Sequence, residues 1–282
     1  MEIIDVGKYA KMSMNMLESM FIADVQKGIY PTLAVIQTHR NPASQIYLNN
    51  IIKDCERFGI SLHIHTCDNV VDYCKTISSL NQDEHVDGII MMRPFHESFK
   101  PSDIQACEVM LNPRKDIDGA NDYNIGKATS LDEPYFFPAT AVGMGLLTSH
   151  LGINPIGKHI VIIGRSKTVG LAAFAMYTRL DATCTLAHSK SEIERYTPDA
   201  DIIVTATNQP HLITADMKFK PGAVILDAGI CVGENNTITG NVDIESFRKN
   251  DTDVLVTPVP RGLGLMTRAA LWHNLYKAIH ME

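Results

Sequence analysis

The residues best suited to chemistry begin with a glycine pair. In His159-Ile-Val-Ile-Ile-Gly164-Arg-Ser-Lys-Thr-Val-Gly170 two glycines stand six apart, after an apolar run and before a helical pattern. Glycine there lets backbone N–H groups approach a phosphate at the helix N-terminus, where the aligned peptide dipoles favour negative charge. The spacing is not G-x-G-x-x-G, so on its own it fits an ordinary strand-to-helix turn equally well. The next apolar run ends in Ala187-His188-Ser189-Lys190, where an NAD site of this plan carries an acid for the ribose 2′-hydroxyl. Cationic and hydroxyl donors at that place, together with Arg165, suit the dianionic 2′-phosphate of NADP. NAD is the alternative cofactor, and without the glycine loop the same turn also reads as a solvated helix start capped by Ser189.

Other candidates are less specific. Asp118 lies in Lys115-Asp-Ile-Asp118-Gly119, whose residue types also make ordinary turns. Tyr47, after Asn41-Pro-Ala-Ser-Gln-Ile, also reads as a half-buried aromatic. His63 and His65 would share one strand face, but no third Cys, His or acidic ligand stands at a matching spacing. A solvated or packed face is the reading, and no metal is expected. The six cysteines form no C-x-x-C pair, as reduced, mostly buried cytosolic thiols would not. The thirteen methionines read as core filler.

Positioning such residues calls for strands alternating with helices. Apolar runs at 32–37, 61–66 and 88–92 read as strands, with helical spacing in Leu48, Ile51, Ile52, Cys55 and Phe58 and again over 70–80. Between 111 and 138 the apolar period fails and Asn, Asp, Gly and Pro accumulate, which reads as a long connection. A helix over 139–151 then leads to a second series of strands at 159–163, 183–188, 201–206, 223–227 and 254–257, and a helix from Met266 to Ile279 follows. With 282 residues, two packed units are expected. The net charge of −7 argues against nucleic-acid binding. No apolar run is long enough to span a membrane, and the first residues lack the apolar core of a signal peptide.

Taken together, these stretches resemble the methylenetetrahydrofolate dehydrogenase/cyclohydrolase family over nearly the whole chain. Asn41 to Tyr47 looks like that family's substrate-site helix entry. Lys115-Asp-Ile-Asp118-Gly119 with Tyr123-Asn124-Ile-Gly126 resembles its folate loop, and the 164–170 stretch its cofactor loop. Thr257-Pro258-Val-Pro260-x-Gly262-x-Gly264-x-Met266-Thr267 resembles its closing signature. The resemblance implies an α/β protein of two domains built from parallel βαβ units, the second Rossmann-like, with an interdomain cleft. Residues 1–138 with 259–282 would form a discontinuous folate-binding catalytic domain, and 139–258 the NAD(P)-binding domain. It implies Tyr47 and Asp118 as catalytic groups, and Tyr47, Met92, Asp118, Pro258, Pro260, Gly262 and Gly264 as substrate contacts. Asp118 would accept hydrogen bonds from the amino-pyrimidine edge of the pterin. Cofactor contacts would be Gly164, Arg165, Ser166, Val169, Gly170, His188, Ser189, Thr207 and Ile230. A folate substrate, a homodimer and a cytoplasmic location complete the expectation.

The sequence departs from the family pattern at its chemistry. One helical turn after the tyrosine, where bifunctional members carry a lysine, stands Ile51; Lys53 is rotated about 200° away around the helix. Where the family has glutamine before Leu-Pro, the chain reads Met92-Arg93-Pro94. Arg261 and Leu265 stand where the closing motif has glycine and proline, and Ala139 and Ala141 flank Thr140. Hydride loss from a methylene flanked by nitrogen needs positioning more than a protein base, whereas adding water to the methenyl cation requires proton handling. The expectation is therefore a dehydrogenase without cyclohydrolase activity. The alternatives are the bifunctional enzyme and a catalytically silent folate- or nucleotide-binding paralogue.

Overall fold

Two sets of parallel strands form where the apolar runs alternate with helices. The computed structural model describes residues 1–38, 42–233, 237–250 and 252–281. In chain order the elements are β1 (Glu2–Ile3), α1 (Val6–Gln26), β2 (Thr32–Gln37), α2 (Pro42–Phe58), β3 (Ser61–Thr66), α3 (Val70–Gln82), β4 (Gly88–Met91), α4 (Pro101–Met110) and α5 (Asp122–Thr129). There follow α6 (Ala139–His150), β5 (His159–Ile163), α7 (Gly170–Arg179), β6 (Thr183–Ala187), β7 (Ile202–Thr205), β8 (Ala223–Asp227), β9 (Cys231–Val232), β10 (Ile238–Thr239), α8 (Ile244–Lys249), β11 (Val254–Val256) and α9 (Leu263–Ile279). The chain divides into two compact units, both discontinuous. One comprises Met1–Met12, Lys127–Glu133 and Phe137–Ala270; the other comprises Ser13–Gly126, Pro134–Phe136 and Leu271–Glu282.

The first unit is organised by a sheet in the order β1-β11-β8-β7-β5-β6, every pairing parallel. Side chains alternate across a strand, so the continuous apolar runs fill two cores at once. Ile160, Ile162, Ile202 and Val204 pack on one side of the sheet with α6 and α7, while Val161, Ile163, Ile203 and Ile225 pack on the other with Phe247 of α8. This double burial is why these strands read as uninterrupted apolar sequence. Helix α7 is rich in alanine, with Ala172, Ala173 and Ala175 buried, which allows it close to the sheet. On α6, a Cβ at Gly143 would lie 2.8 Å from the Thr267 backbone nitrogen, so glycine permits the approach of α9.

In the second unit β3-β2-β4 form a parallel sheet. All of central β2 is buried, while edge strand β3 is largely open. His63 is exposed there and His65 half-buried. A parallel bridge from Ile89 to Asp116, with Ile89 N–H donating to Lys115 O at 2.7 Å, continues the sheet beyond β4. Trp272 of α9 is fully buried: its ring meets Phe58 edge-on, and its indole N–H donates to Asp54 at 2.8 Å.

The structure corrects one sequence expectation and adds to others. The 111–138 connection contains a helix, α5, whose eight residues include Gly126 and are too few to show a period. Strand β1 and helix α1 were not anticipated. Among the described residues no helix is long and apolar enough to cross a membrane.

Candidate functional site

The first unit carries a cavity of about 550 Å3 at the carboxyl ends of β5, β6 and β7, the place where open parallel sheets receive ligands. Its geometry starts at Gly164, which leaves β5 with φ +118°. A Cβ at Gly164 would lie 2.2 Å from Ala206 O, and one at Gly170 would lie 2.0 Å from Gly164 O. Both positions therefore require glycine, and the loop is drawn tight between β7 and the start of α7. Ser166 O accepts the Leu171 N–H at 3.0 Å, and Ser166 Oγ accepts the Gly170 N–H at 3.4 Å. Val169 caps α7 without a side-chain hydrogen bond, which suits a helix start meant to receive an anion.

At the end of β6 the turn is held locally. His188 N–H donates to Ser191 Oγ at 3.1 Å, and His188 Nδ1 accepts the Lys190 N–H at 3.2 Å. The imidazole proton therefore resides on Nε2, leaving that nitrogen as a donor. Of the expected cofactor contacts, Gly164, Arg165, His188, Ser189 and Thr207 line this cavity together. Ser166, Val169 and Gly170 lie in the loop and helix start beside it, and Ile230 is 67% exposed and outside the lining. Lys190 is exposed and also outside it. Sequence reasoning missed Ser191, Glu194, Asn208 and Gln209, all of which line the cavity. The polar Thr-Asn-Gln that follows the apolar β7 was the available signal.

In the second unit Tyr47 lies on α2, 37% exposed. Ile51 and Met92 are each only 2% exposed, so they are core residues in this structure. Asn41 lies outside the described residues. Asp118 is half-buried beyond the Ile89–Asp116 bridge. Burial pushes its carboxyl above the ordinary range, while the Arg93 guanidinium pulls it back down. Arg93 itself pairs with Glu108 and lies over the Phe95 ring. The neighbouring Asp116 is buried and raised to about 7 by desolvation, despite accepting from Asn121 N–H at 2.7 Å and Asn124 Nδ2 at 3.2 Å. Asn124, from the Tyr-Asn-Ile-Gly stretch, thus supports the aspartate loop from α5. Lys115 turns elsewhere: its ammonium donates to Leu80 O and Asp83 O at the end of α3.

The closing stretch belongs to the first unit. Thr257 Oγ1 accepts the Asp227 N–H at 2.7 Å. A Cβ at Gly262 would lie 1.8 Å from Pro258 O, so the turn closes only with glycine there. Arg261 has φ +69°, a conformation that favours glycine, the residue its position resembles in the family. Pro258 is half-buried, while Pro260 and Gly264 are exposed. The expected substrate contacts thus divide, with Tyr47, Met92 and Asp118 in one unit and Pro258, Pro260, Gly262 and Gly264 in the other.

Comparison with known proteins is consistent along the chain. Residues 4–118 match the model of the tetrahydrofolate dehydrogenase/cyclohydrolase catalytic domain, and residues 138–282 that of its NAD(P)-binding domain. The Bifunctional protein FolD of Helicobacter hepaticus is 36% identical, over 93% of this chain and 91% of the relative. Among solved structures, the bifunctional FolD of Campylobacter jejuni is 31% identical with a TM-score of 0.89, covering 99% of this chain and 98% of the other. A 5,10-methylenetetrahydrofolate dehydrogenase from the silkworm Bombyx mori is 32% identical with a TM-score of 0.86 and the same coverage.

Proposed function

The chain belongs to the tetrahydrofolate dehydrogenase/cyclohydrolase family, and from that premise we propose that it oxidises 5,10-methylenetetrahydrofolate to 5,10-methenyltetrahydrofolate with NADP. The observation that carries this reading is the cavity at the ends of β5, β6 and β7, bordered by a loop whose glycines at 164 and 170 leave no room for a side chain. Bound there, NADP would accept the hydride that the substrate methylene loses. The protein's own tasks are to bind, to orient and to exclude water. The 164–170 loop and the α7 N-terminus would receive the pyrophosphate. Arg165, His188 and Ser189 supply a cation and two donors suited to a 2′-phosphate, with Glu194 the opposing charge in the same wall. Asp118 would take the amino-pyrimidine edge of the pterin, and Tyr47 would lie near the one-carbon bridge.

A second activity, hydrolysis of the methenyl product, is favoured by the names of the relatives, which are bifunctional at 34–38% identity. The monofunctional reading keeps one observation, the absence of a lysine one turn after Tyr47. Its companion argument weakens, because Ile51 and Met92 are core residues and present no apolar wall to solvent. The test is to mix the purified protein with methylenetetrahydrofolate and NADP, or NAD, and to follow methenyl and reduced-nicotinamide absorbance separately. Methenyl decay that scales with enzyme concentration supports the bifunctional enzyme. Methenyl accumulating in step with NADPH and decaying at the uncatalysed rate supports the monofunctional one. Absence of any NADPH refutes the dehydrogenase reading.

A further inference from the structure

Asn241 is fully buried between β10 and α8 and lies outside the cavity lining, yet it holds one wall of that cavity. Its Oδ1 accepts the Thr207 N–H at 3.0 Å, and its Nδ2 donates to Thr207 O at 3.0 Å and to Gln209 O at 2.7 Å. One side chain thus closes both backbone ends of Thr207 and ties down Gln209, more than thirty residues away in sequence. Thr207, Asn208 and Gln209 together face the cavity. Asparagine suits this place because two carbonyls demand a donor and one N–H demands an acceptor. The same side chain packs on the segment leaving β8: a Cβ at Gly229 would lie 2.3 Å from Asn241 Cγ. Its own backbone is anchored, since the adjacent Val242 N–H donates to Asp227 Oδ2 at 2.9 Å.

We propose that Asn241 is a positioning residue for the dinucleotide, holding the 207–209 segment in the shape that receives it. This rests on the reading of the cavity as the NADP site. Without the clamp, two carbonyls lose their donor and the segment must be ordered during binding, so dinucleotide affinity falls while the reacting atoms are untouched.

The test uses the full chain, with NADPH fluorescence titration as the direct readout. No NADPH binding by the wild type would refute the dinucleotide reading itself. Given wild-type binding, Asn241→Leu is expected to raise the NADPH Kd and the NADP KM by about tenfold or more, leaving the folate KM and kcat within about twofold. Asn241→Ala, which removes the clamp without adding bulk beside Gly229, should give a similar loss. Hydrogen exchange at the Thr207 amide should quicken in Asn241→Leu without any dinucleotide present. Unchanged NADPH affinity overturns the proposal, as does an equal loss of folate affinity. Failure of both variants to fold also overturns it, by showing that Asn241 serves folding alone.

Discussion

Replacing Gly164 with alanine adds one methyl group where the fold has no space for it. The backbone at this residue, φ +118°, is one that L side chains rarely adopt, and forcing one into such a region costs about 1–3 kcal/mol. The added Cβ would stand 2.2 Å from Ala206 O, so reaching an ordinary C···O separation requires a shift of roughly 1 Å. The obstructing atom is backbone, and the Ala206 N–H is itself bonded to Ile163 O at 2.8 Å. Weakening that bond adds about 1 kcal/mol. The sum, about 2–4 kcal/mol, corresponds to a fall in Tm of roughly 3–7 °C for a chain of 282 residues. Because Gly164, Ala206 and Thr207 all line the cavity, NADPH affinity should fall as well. Thermal unfolding with and without NADP, together with NADPH fluorescence titration, measures both effects. Adding Ala206→Gly should give no rescue, since the Ala206 Cβ is 3.3 Å from the new methyl and the carbonyl is the obstacle. Rescue by that second change, or a Tm within about 1 °C of the parent with unaltered NADPH affinity, would refute the reasoning.

Asp118→Ala should raise the folate KM strongly and leave the NADPH Kd nearly unchanged; an unaltered folate KM removes Asp118 from the substrate site. Burial raises Asp116 to about 7, so the folded state keeps a proton that the unfolded chain releases. The stability from this group is fully present below the ordinary carboxylate range and is lost as pH climbs through about 7. Asp116→Asn, which retains an acceptor for Asn121 N–H, should flatten that loss when urea unfolding is compared at about pH 5 and about pH 8, and an equally steep variant counts against it. Arg261→Gly, at φ +69°, should relieve left-handed strain and stabilise by about 1 kcal/mol or less, visible as a higher Tm; a lower Tm would show that the arginine side chain holds the turn.

The parallel strands were legible because burial on both faces leaves stretches such as 160–163, 202–204 and 223–226 wholly apolar. The tight 164–170 turn between strand and helix was legible from its two glycines, both of which backbone contacts require. What escaped detection depended on partners distant in sequence. Glu2 and Ile3 form a strand only because Leu255 and Val256 present an open edge, and two residues carry no period. Asn241 looks like a loop residue until the 207–209 backbone is brought to it. Ile51 and Met92 were legible both as apolar departures from a family pattern and as core positions, Ile51 by its helical spacing with Leu48, Cys55 and Phe58 and Met92 by its place in the 88–92 run, and both are buried. The donors of the β6 turn were readable from their types, whereas Glu194 enters the same cavity from a short turn with no local signature.

The pairing of β1 with β11 also dictates an order of events during synthesis. Glu2 and Ile3 are made about 250 residues before Leu255 and Val256, a delay of roughly 12–50 s at ordinary rates of translation. The other unit waits in the same way, because Asp54 and Phe58 close on Trp272. Neither unit can finish folding while the carboxyl-terminal tenth of the chain is still inside the ribosome. For most of translation the nascent protein must therefore carry an open sheet edge and an aromatic socket still without its indole.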